Sequence, residues 1–513
     1  MAKIDSKLYD EFGKGINTFT RPTMIKETEA ESAYNVWSVG KNSIAKRPGI
    51  RKLCTIAGVS KIDGLATYYN GSTRELLAMA GGKIYKVHTG TAVQIGSTTW
   101  TSGLRTDFCQ AGGKVFIQNG TDVLREYNGS AISDTTNGII GKWLTFYKSC
   151  LWTAGNMTAG NETRLYRSGA DTKLGDFTYN VTTNPLATSV YVSKDDGQAL
   201  RGFFKHQDYL YPVKERSLWR ASVASDTAGT ISLELVDPAR GTDSHFTIDT
   251  VENDNFMFNE KGVFSTGYEP NLSEIRTNIV SLRIDNKLSN IEKSRLDDVV
   301  GIYFDNHYYL AYSDGGSTTN NRVMVYDRQR LGWWEWTLDV NCFSEYKNAG
   351  GETFLYFGSS EDGSIYYFDD TAKSDDIYTI PTTWKSAMFS FGDASQMKFF
   401  LKVLLYVGKT PGNIDISVYI DGQLNSVTPK TLGNTGGAGI GVGLTGTYLT
   451  GVEGGSISID DTGGGDFIEI PVTAMGRNIQ VMVEDNTADK SWELNGIVIQ
   501  QKPLSNLFQP NTR

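Results

Sequence analysis

Two stretches decide the fold of this chain: Glu75-Leu-Leu-Ala-Met-Ala-Gly-Gly-Lys-Ile-Tyr85 and Asp107-Phe-Cys-Gln-Ala-Gly-Gly-Lys-Val-Phe-Ile117. Both run from an apolar segment through Gly-Gly-Lys to a β-branched residue and an aromatic residue. Paired glycines permit the positive φ angles of a tight turn, and the residues that follow resume the alternation of a strand. Tyr-Asn-Gly-Ser, at 69–72 and 127–130, is a second repeated turn sequence. The pattern therefore predicts β-hairpins in this region.

The hairpins belong to a longer unit that repeats from about residue 58 to 370. Its copies begin near residues 65, 106, 143, 200, 250, 299 and 342, at spacings of 37 to 57 residues. Propeller blades repeat at about 40–50 residues, with allowance for loop insertions. We therefore expect an all-β chain with a β-propeller of about six or seven blades over 58–376. A set of β-sandwiches is the alternative, although a sandwich would not repeat this three- or four-strand unit.

The regions on either side of the repeat have different sequence patterns from it. Residues 1–57 are polar and lack a regular apolar period, so we expect an extended N-terminal arm that lies along other elements or other subunits. Residues 377–503 contain alternating segments such as Ile414–Ile420, which stops at Asp421-Gly422, and they predict a small antiparallel β-sandwich. A glycine-rich insertion, 433–466, interrupts it, and 504–513 forms a polar C-terminal tail.

One short helix is also predicted. Ile284, Leu288 and Ile291 share one face of a helix over 284–295, in an insertion between the fifth and sixth repeats.

Composition narrows the classes of function. The 513 residues carry a net charge of −9, which argues against a protein that grips nucleic acid but is compatible with a wall past which DNA slides. The N-terminus has no apolar segment of the secretory kind, and no apolar run approaches the ~18 residues of a membrane span. We therefore expect synthesis in a cytoplasm. Cysteine is sparse and shows no CxxC pair, so we expect buried, reduced thiols at Cys54, Cys109, Cys150 and Cys342.

The search for reactive residues predicts no catalytic, cofactor-binding or metal-ligating site. The histidines, His88, His206, His245 and His307, form no HxH or HExxH motif. Adjacent carboxylates, at 195–196, 297–298, 369–370, 375–376 and 460–461, read as acidic turns. Asp314-Gly-Gly and the segment 460–466 have calcium-binding residue types without EF-hand spacing. We therefore expect no enzyme and no cofactor.

Aromatic residues are dense at Trp333-Trp334-Glu-Trp336. Such rings could form a platform for a glycan on the surface, or they could pack between blades. The second interpretation is favoured because large rings contribute most to cores.

Several segments resemble the tail hub or nozzle proteins of short-tailed bacteriophages. They are the end of the N-terminal region, Asn42 to Leu53; the Tyr326-Asp327 turn leading to Trp333-Trp334; the segment Phe357 to Asp369; and the closing strands from Asn478 to Ile499. They occur in the order expected for that family.

The resemblance implies a structural virion protein that forms a six-fold ring below the portal and adaptor. Such a ring extends or closes the DNA-ejection channel, lets genomic DNA pass without sequence-specific binding, and docks tail fibres or spikes. The polar arm, the glycine-rich stretch and the tail would then carry the contacts between subunits. A glycan-binding propeller that recognises host surface polysaccharide is the alternative function.

Overall fold

The computed structural model describes residues 4–40, 42–224, 229–269, 274–348, 350–407, 414–425, 430–432 and 466–504. The chain forms two compact units. The first unit contains Met1–Arg51, Met324–Thr337 and Asp369–Arg513, and the second contains Lys52–Val323 and Leu338–Phe368. These units divide the chain differently from the boundaries expected at 57, 376 and 503, because the N-terminal residues group with the C-terminal ones.

The N-terminal region is built from strands. They are β1 (Asp5–Tyr9), β2 (Ala30–Tyr34), β3 (Val36–Val39), β4 (Ser43–Lys46) and β5 (Gly49–Thr55), with a 3-10 turn at Pro22–Met24. The end of β5, from Lys52 onwards, belongs to the second unit.

The second unit is a succession of sheets, and all but the last are formed by consecutive strands. The first sheet is β6 (Gly64–Asn70), β7 (Thr73–Ala80), β8 (Lys83–His88) and β9 (Thr91–Gln94). The second is β10 (Asp107–Ala111), β11 (Lys114–Gln118), β12 (Arg125–Tyr127) and β13 (Ile132–Asp134). The third is β14 (Trp143–Tyr147), β15 (Cys150–Ala154), β16 (Arg164–Ala170) and β17 (Thr188–Tyr191), with a 3-10 turn at Asp171–Lys173. The fourth is β18 (Leu200–His206), β19 (Tyr209–Lys214), β20 (Leu218–Val223) and β21 (Ile231–Asp237).

The succession continues after a 3-10 turn at His245–Thr247. The fifth sheet is β22 (Asp249–Val251), β23 (Asp254–Asn259), β24 (Gly262–Glu269) and β25 (Glu274–Ile279). A hairpin of β26 (Val300–Phe304) and β27 (His307–Tyr312) follows. The next strands in the chain are β28 (Arg322–Asp327), most of which belongs to the first unit, and β29 (Gly332–Trp336), which belongs to it entirely. The last sheet is β30 (Val340–Lys347), β31 (Thr353–Ser359) and β32 (Ser364–Asp369), and its fourth strand is β5 from the other end of the repeat.

The repeat read from the sequence coincides with these sheets. Their first strands begin at Gly64, Asp107, Trp143, Leu200, Asp249, Val300 and Val340, each within two residues of the expected onset. The Gly-Gly turns behave as predicted, since Gly81 and Gly82 have φ of 56° and 72°, and Gly112 and Gly113 have φ of 57° and 73°.

Hydrophobic clusters occupy the spaces between successive sheets. Each cluster has members on two neighbouring sheets: Leu77 and Val115; Phe116 and Leu151; Trp152 and Phe203; Tyr211 and Met257; Ile365 and Leu65. Rings continue the series, because Phe256 packs on Tyr308 at 5.2 Å and Tyr309 on Phe368 at 5.7 Å between ring centroids. Sheets that pack in series, with the last one completed by the strand that precedes the first, form a β-propeller. The expected all-β propeller is therefore present.

The first unit contains the remaining strands. They are β33 (Thr382–Ser386), β34 (Lys398–Val407), β35 (Ile414–Ile420), β36 (Gln423–Leu424), β37 (Lys430–Leu432), β38 (Asp466–Gly476), β39 (Ile479–Asp485) and β40 (Glu493–Pro503). One sheet has the order β3-β4-β40-β34-β38, with β1 also paired to β40, and the other runs β29-β2-β33-β39-β35-β36, with β37 paired to β35. The Trp492 Nε1 atom donates to Thr382 Oγ1 at 3.1 Å, which links β33 to the segment leading into β40.

The N-terminal region lies along other elements of the first unit. Strand β1 pairs with β40 from Asp5↔Gln501 to Tyr9↔Ile497, and β2 pairs with β33. The region looked unable to fold because its polar residues are numerous. Several of these polar residues are buried with partners in the same unit.

Lys46 and Arg47 show how this burial is satisfied. Lys46 is fully buried and donates to Asp485 at 3.2 Å. Arg47 is also fully buried, and its two terminal nitrogens donate to the two carboxylate oxygens of Asp375 at 2.8 and 2.5 Å. Its Nε atom donates to Asn35 Oδ1 at 3.0 Å. Buried charges with paired partners of this kind are tolerated in a core.

The remaining expectations have mixed outcomes. The helix expected over 284–295 is shorter: a 3-10 turn at Leu282–Ile284, one α-turn, α1, at Asp285–Leu288, and a 3-10 segment at Lys293–Asp298. Its expected apolar face, Ile284, Leu288 and Ile291, is buried. The glycine-rich insertion lies outside the described residues except for Asp466, and the tail does so except for Leu504. Among the described residues, no helix combines the length and the apolar character that crossing a membrane requires.

Candidate functional site

A cavity of about 470 Å³ lies in the second unit, where the first strands of several sheets meet. Strands β6, β10, β26 and β30 and the segment from His245 to Asp249 form its walls. Its apolar lining includes Leu65, Phe108, Val115, Phe246, Ile248, Val300, Ile302 and Phe343. Its polar lining includes Thr67, Arg105, Thr106, Asp107, Gln110, His245 and Asp249. The lining exposes about as much polar as apolar surface, whereas small-molecule sites are usually mostly apolar with a few converging polar groups.

Glycines let the strands around the cavity approach one another. A Cβ atom on Gly301 would lie 2.5 Å from the Tyr308 hydroxyl oxygen, and one on Gly64 would lie 2.8 Å from both the Phe108 ring and the Thr106 carbonyl oxygen. Both distances are too short for a real side chain, so glycine is required at both positions by close packing.

Arg105 supplies the positive charge of the cavity. Its Nη2 atom donates to Asn341 Oδ1 at 3.0 Å, and its guanidinium carbon lies 5.3 Å from the centroid of the Phe246 ring. The Nη1 atom is shielded from solvent and has no hydrogen-bond partner, although other atoms of the side chain are partly exposed. Burial lowers the pKa of this guanidinium. Among the residues that the structure describes, no carboxylate forms an ion pair with it.

Asp107 and His245 form a second polar group. Asp107 accepts from the backbone N–H of Leu144 at 2.7 Å and of Phe108 at 2.9 Å. The Nε2 atom of His245 is 3.7 Å from Asp107 Oδ2, and its Nδ1 atom accepts from the Phe203 N–H at 3.4 Å. A neutral ring that accepts at Nδ1 carries its proton on Nε2, which faces the carboxylate. The pair is therefore oriented, but 3.7 Å exceeds hydrogen-bonding distance.

Asp249 is the third polar group. Its carboxylate accepts from the N–H of Tyr303 and of Thr250, both at 2.7 Å. Burial raises the pKa of Asp249 to about 6. Two backbone donors hold the carboxylate in place, so it is available as a fixed negative charge at neutral pH.

The cavity lacks an activated nucleophile among the described residues that line it. The Thr106 hydroxyl donates to the Leu104 carbonyl at 3.2 Å. The Cys342 thiol lies 3.7 Å from the Ile62 carbonyl oxygen, and burial raises its pKa to about 12, so it stays protonated. The Asp107–His245 pair thus has no described partner on which it could act as a general base.

The other histidines lie apart from this cavity. His88 is exposed at the end of β8. The His206 Nδ1 atom lies 2.9 Å from the Asn255 amide nitrogen, and burial lowers the pKa of His206. His307 contacts the Asp305 carbonyl at 2.7 Å beside a turn. Of the four, only His245 lines the cavity.

Each pair of adjacent carboxylates in the described residues has at least one member that forms an ion pair. Asp196 pairs with Lys214 and Asp297 with Lys142, both at 2.6 Å, and Asp298 pairs with Arg295 at 3.1 Å. In the first unit, Asp375 pairs with Arg47 and Asp369 pairs with Arg51. Asp314 lies 3.8 Å from the Arg322 guanidinium, and the segment 460–465 is outside the described residues. No described cluster of three or more His, Cys, Asp or Glu residues could hold a metal ion.

The tryptophans and cysteines are internal. Trp333, Trp334 and Trp336 have at most 1% of their surface exposed, so they do not form a surface platform. All four cysteines are unpaired; Cys54, Cys150 and Cys342 are buried, and Cys109 is half-buried.

Sequence reasoning did not identify Arg105, Asp107 or Asp249 as a group. A usable signal was present, since Asp107 and Asp249 are the first residues of β10 and β22, next to the predicted repeat onsets. The first strands β6, β10, β26 and β30 and the first residue of β22 contribute to the cavity walls, so polar residues at repeat onsets are the ones to inspect.

Comparisons with known proteins show similarity of fold only. No family model matches the chain, and no curated protein matches it. Among solved structures, YCF48 from Cyanidioschyzon merolae is 11% identical with a TM-score of 0.37, over 62% of this chain and 98% of that one. The β-propeller domain of Cps50 (Swd1) from Myceliophteria thermophila is 9% identical with a TM-score of 0.40, over 62% of this chain and 99% of that one. A structure of YCF48 bound to D1 peptide is 11% identical with a TM-score of 0.37, over 63% and 94%.

Proposed function

We propose that this chain is a non-enzymatic structural subunit of a bacteriophage tail, of the hub or nozzle kind. The observation that supports this role is that, in each unit, strands from near the N-terminus pair with strands from much later in the sequence. Strand β5 completes the last sheet of the repeat, and β1 and β4 both pair with β40. A sheet whose outer strand is supplied by a distant part of the chain leaves fewer free edges. It also resists deformation, which a ring that bears load requires.

We extend the proposal to the number of blades and to the fold of the first unit. The six four-stranded sheets in the described part of the chain and the β26–β27 hairpin make a propeller of seven blades. The two sheets of the first unit make a β-sandwich, which includes the N-terminal strands as well as residues from 377 onwards.

A ring assembly through which DNA passes is compatible with the acidic net charge. The net charge of −9 gives DNA few sites at which to stick during passage. A six-fold ring would lie below the portal and adaptor, extend the ejection channel and dock fibres or spikes. Rings of this type use heterologous interfaces that close by rotation.

Labelling of intact particles tests the tail assignment. Antibodies raised against the purified protein should bind the tail of the phage whose genome encodes the chain, and electron microscopy should place the label below the head. Label on the head alone, or none on particles that contain every other tail protein, would refute the assignment.

A host-glycan receptor is the competing function. Its strongest sequence feature, the Trp333–Trp336 group, is buried and cannot meet a sugar. Specific binding of a surface polysaccharide on a glycan array, together with absence from purified particles, would favour the receptor over the structural subunit.

A further inference from the structure

We propose that the cavity walled by β6, β10, β26 and β30 binds a small organic cation, an amine with an apolar body, through the carboxylates of Asp107 and Asp249. This inference is independent of the tail assignment, because it rests only on residues of the second unit. The structural role does not use this cavity, so the proposal adds a binding site to the chain.

The cavity lining has an excess of negative charge. Of the described residues that line it, Asp107 and Asp249 carry negative charge at neutral pH and Arg105 carries positive charge. The carboxylates of Asp298 and Asp63, which lie outside the lining, already act on the Arg105 guanidinium. The positive charge is therefore partly compensated from outside the cavity, and a ligand inside it meets a net negative field.

The two carboxylates have hydrogen-bond donors but no cation. Asp107 accepts from backbone N–H groups at 2.7 and 2.9 Å, and Asp249 accepts from two at 2.7 Å. In the described part of the chain, neither forms an ion pair with a lysine or an arginine, and the His245 ring near Asp107 is charged only if protonated. A carboxylate shielded from water without a counter-charge is unfavourable, and a bound cation supplies that charge.

Both carboxylates are within reach of a ligand in the cavity. The Asp107 side chain keeps 15% of its surface accessible to solvent, and Asp249 is half-buried. Burial, and with it the charge of the exposed Glu345 on β30, raises the pKa of Asp249 to about 6. Both effects disfavour an uncompensated negative charge at this position, so a cation beside Asp249 stabilises its ionised form.

The size and aromatic lining of the cavity favour an amine with an apolar body. A volume of about 470 Å³ lies within the usual range for ligand sites. Phe108 and Phe343 line it and are half-buried, so they offer apolar contact to a ring or short chain and attract a cation to their faces. Gln110, which also lines the cavity, is exposed, so the cavity reaches solvent.

Isothermal titration calorimetry on the full chain at pH 7 tests the proposal with phenethylamine, which is protonated at this pH, with 2-phenylethanol as its uncharged counterpart, and with phenylacetate as its anionic counterpart. We expect phenethylamine to bind at least about tenfold more tightly than either of the others. Asp107→Asn and Asp249→Asn should each weaken phenethylamine binding by about fivefold or more. Asp195→Asn, which removes an exposed carboxylate outside the lining, should change it by less than about twofold.

Four results would overturn the proposal. They are equal or tighter binding of the alcohol, equal or tighter binding of the acid, unchanged phenethylamine binding by either Asp107→Asn or Asp249→Asn, and no phenethylamine binding up to about 10 mM. Circular dichroism on each variant establishes that it is folded. If both aspartate variants fail that check, the three-probe comparison on the unmodified chain still decides the matter.

Discussion

At the scale of single residues, both units contain charged side chains that are shielded from water. The groups that pair with these charges differ from one side chain to the next. Arg47 has a carboxylate partner, Asp249 has two backbone donors, and Arg105 has a hydrogen-bonded nitrogen beside an unpaired one. The energetic consequence of removing a partner therefore differs from site to site.

Asp375→Ala tests the buried pair in the first unit. It leaves the Arg47 guanidinium buried without its carboxylate, so we expect the free energy of unfolding to fall by about 3–5 kcal/mol in urea titrations. The control is Glu469→Gln, which breaks a half-exposed pair with Lys402 at 2.8 Å and should cost at most about 1 kcal/mol. Equal losses for the two variants would contradict the account of Arg47.

The raised pKa of Asp249 predicts that the free energy of unfolding depends on pH. Its pKa is about 6 in the folded chain against 3.8 for an ordinary carboxyl, so between these values the folded chain holds a proton that the unfolded chain has released. The free energy of unfolding should therefore fall as pH rises from about 4 to 6, by up to about 3 kcal/mol from this residue. Asp249→Asn should lack that component. An identical pH profile for the variant and the unmodified chain would contradict the raised pKa.

At the scale of elements, the N-terminal segment contacts β29 through strand β2 and also through a close approach at Gly15. Gly15 has φ of +69° and forms a parallel bridge with Trp333, and a Cβ atom there would lie 2.2 Å from the Trp333 carbonyl oxygen. Gly40 has a similar φ of +55° but open space around it.

This pair of glycines separates backbone strain from steric clash. Gly40→Ala should cost about 1 kcal/mol, from the positive φ alone. Gly15→Ala should cost more than about 3 kcal/mol, because the added methyl group must displace backbone. Thermal unfolding of both variants measures the difference, and similar midpoints would show that the segment is not held against β29.

Closure of the repeat can be tested by a covalent link between β5 and β32. The Thr55 and Ser364 hydroxyl oxygens are 2.8 Å apart although 309 positions separate them in sequence. Thr55→Cys with Ser364→Cys should form a disulfide under oxidising conditions and stabilise the second unit by about 2–4 kcal/mol. The single variants and the reduced double variant should show no gain. Failure of the two thiols to couple would contradict the pairing of these strands.

At the scale of the whole molecule, the sequence predicted the repeat well because turns are local. Gly81-Gly82 and Gly112-Gly113 determine where strands reverse, and the onsets of the sheets follow. The N-terminal strands were missed because burial of Lys46 and Arg47 depends on Asp485 and Asp375, more than 300 residues away. The cavity was missed for the same reason: Arg105 and Asp249 meet only when the sheets close.

Electron cryomicroscopy of the purified protein, mixed with the portal and adaptor of its own particle, tests the central claim most directly. We predict a closed six-fold ring below the adaptor, in which each subunit shows a propeller disc and the lumen is wide enough for DNA. Single copies without rotational symmetry, or subunits whose repeated sheets lie in separate stacked sandwiches, would contradict the account.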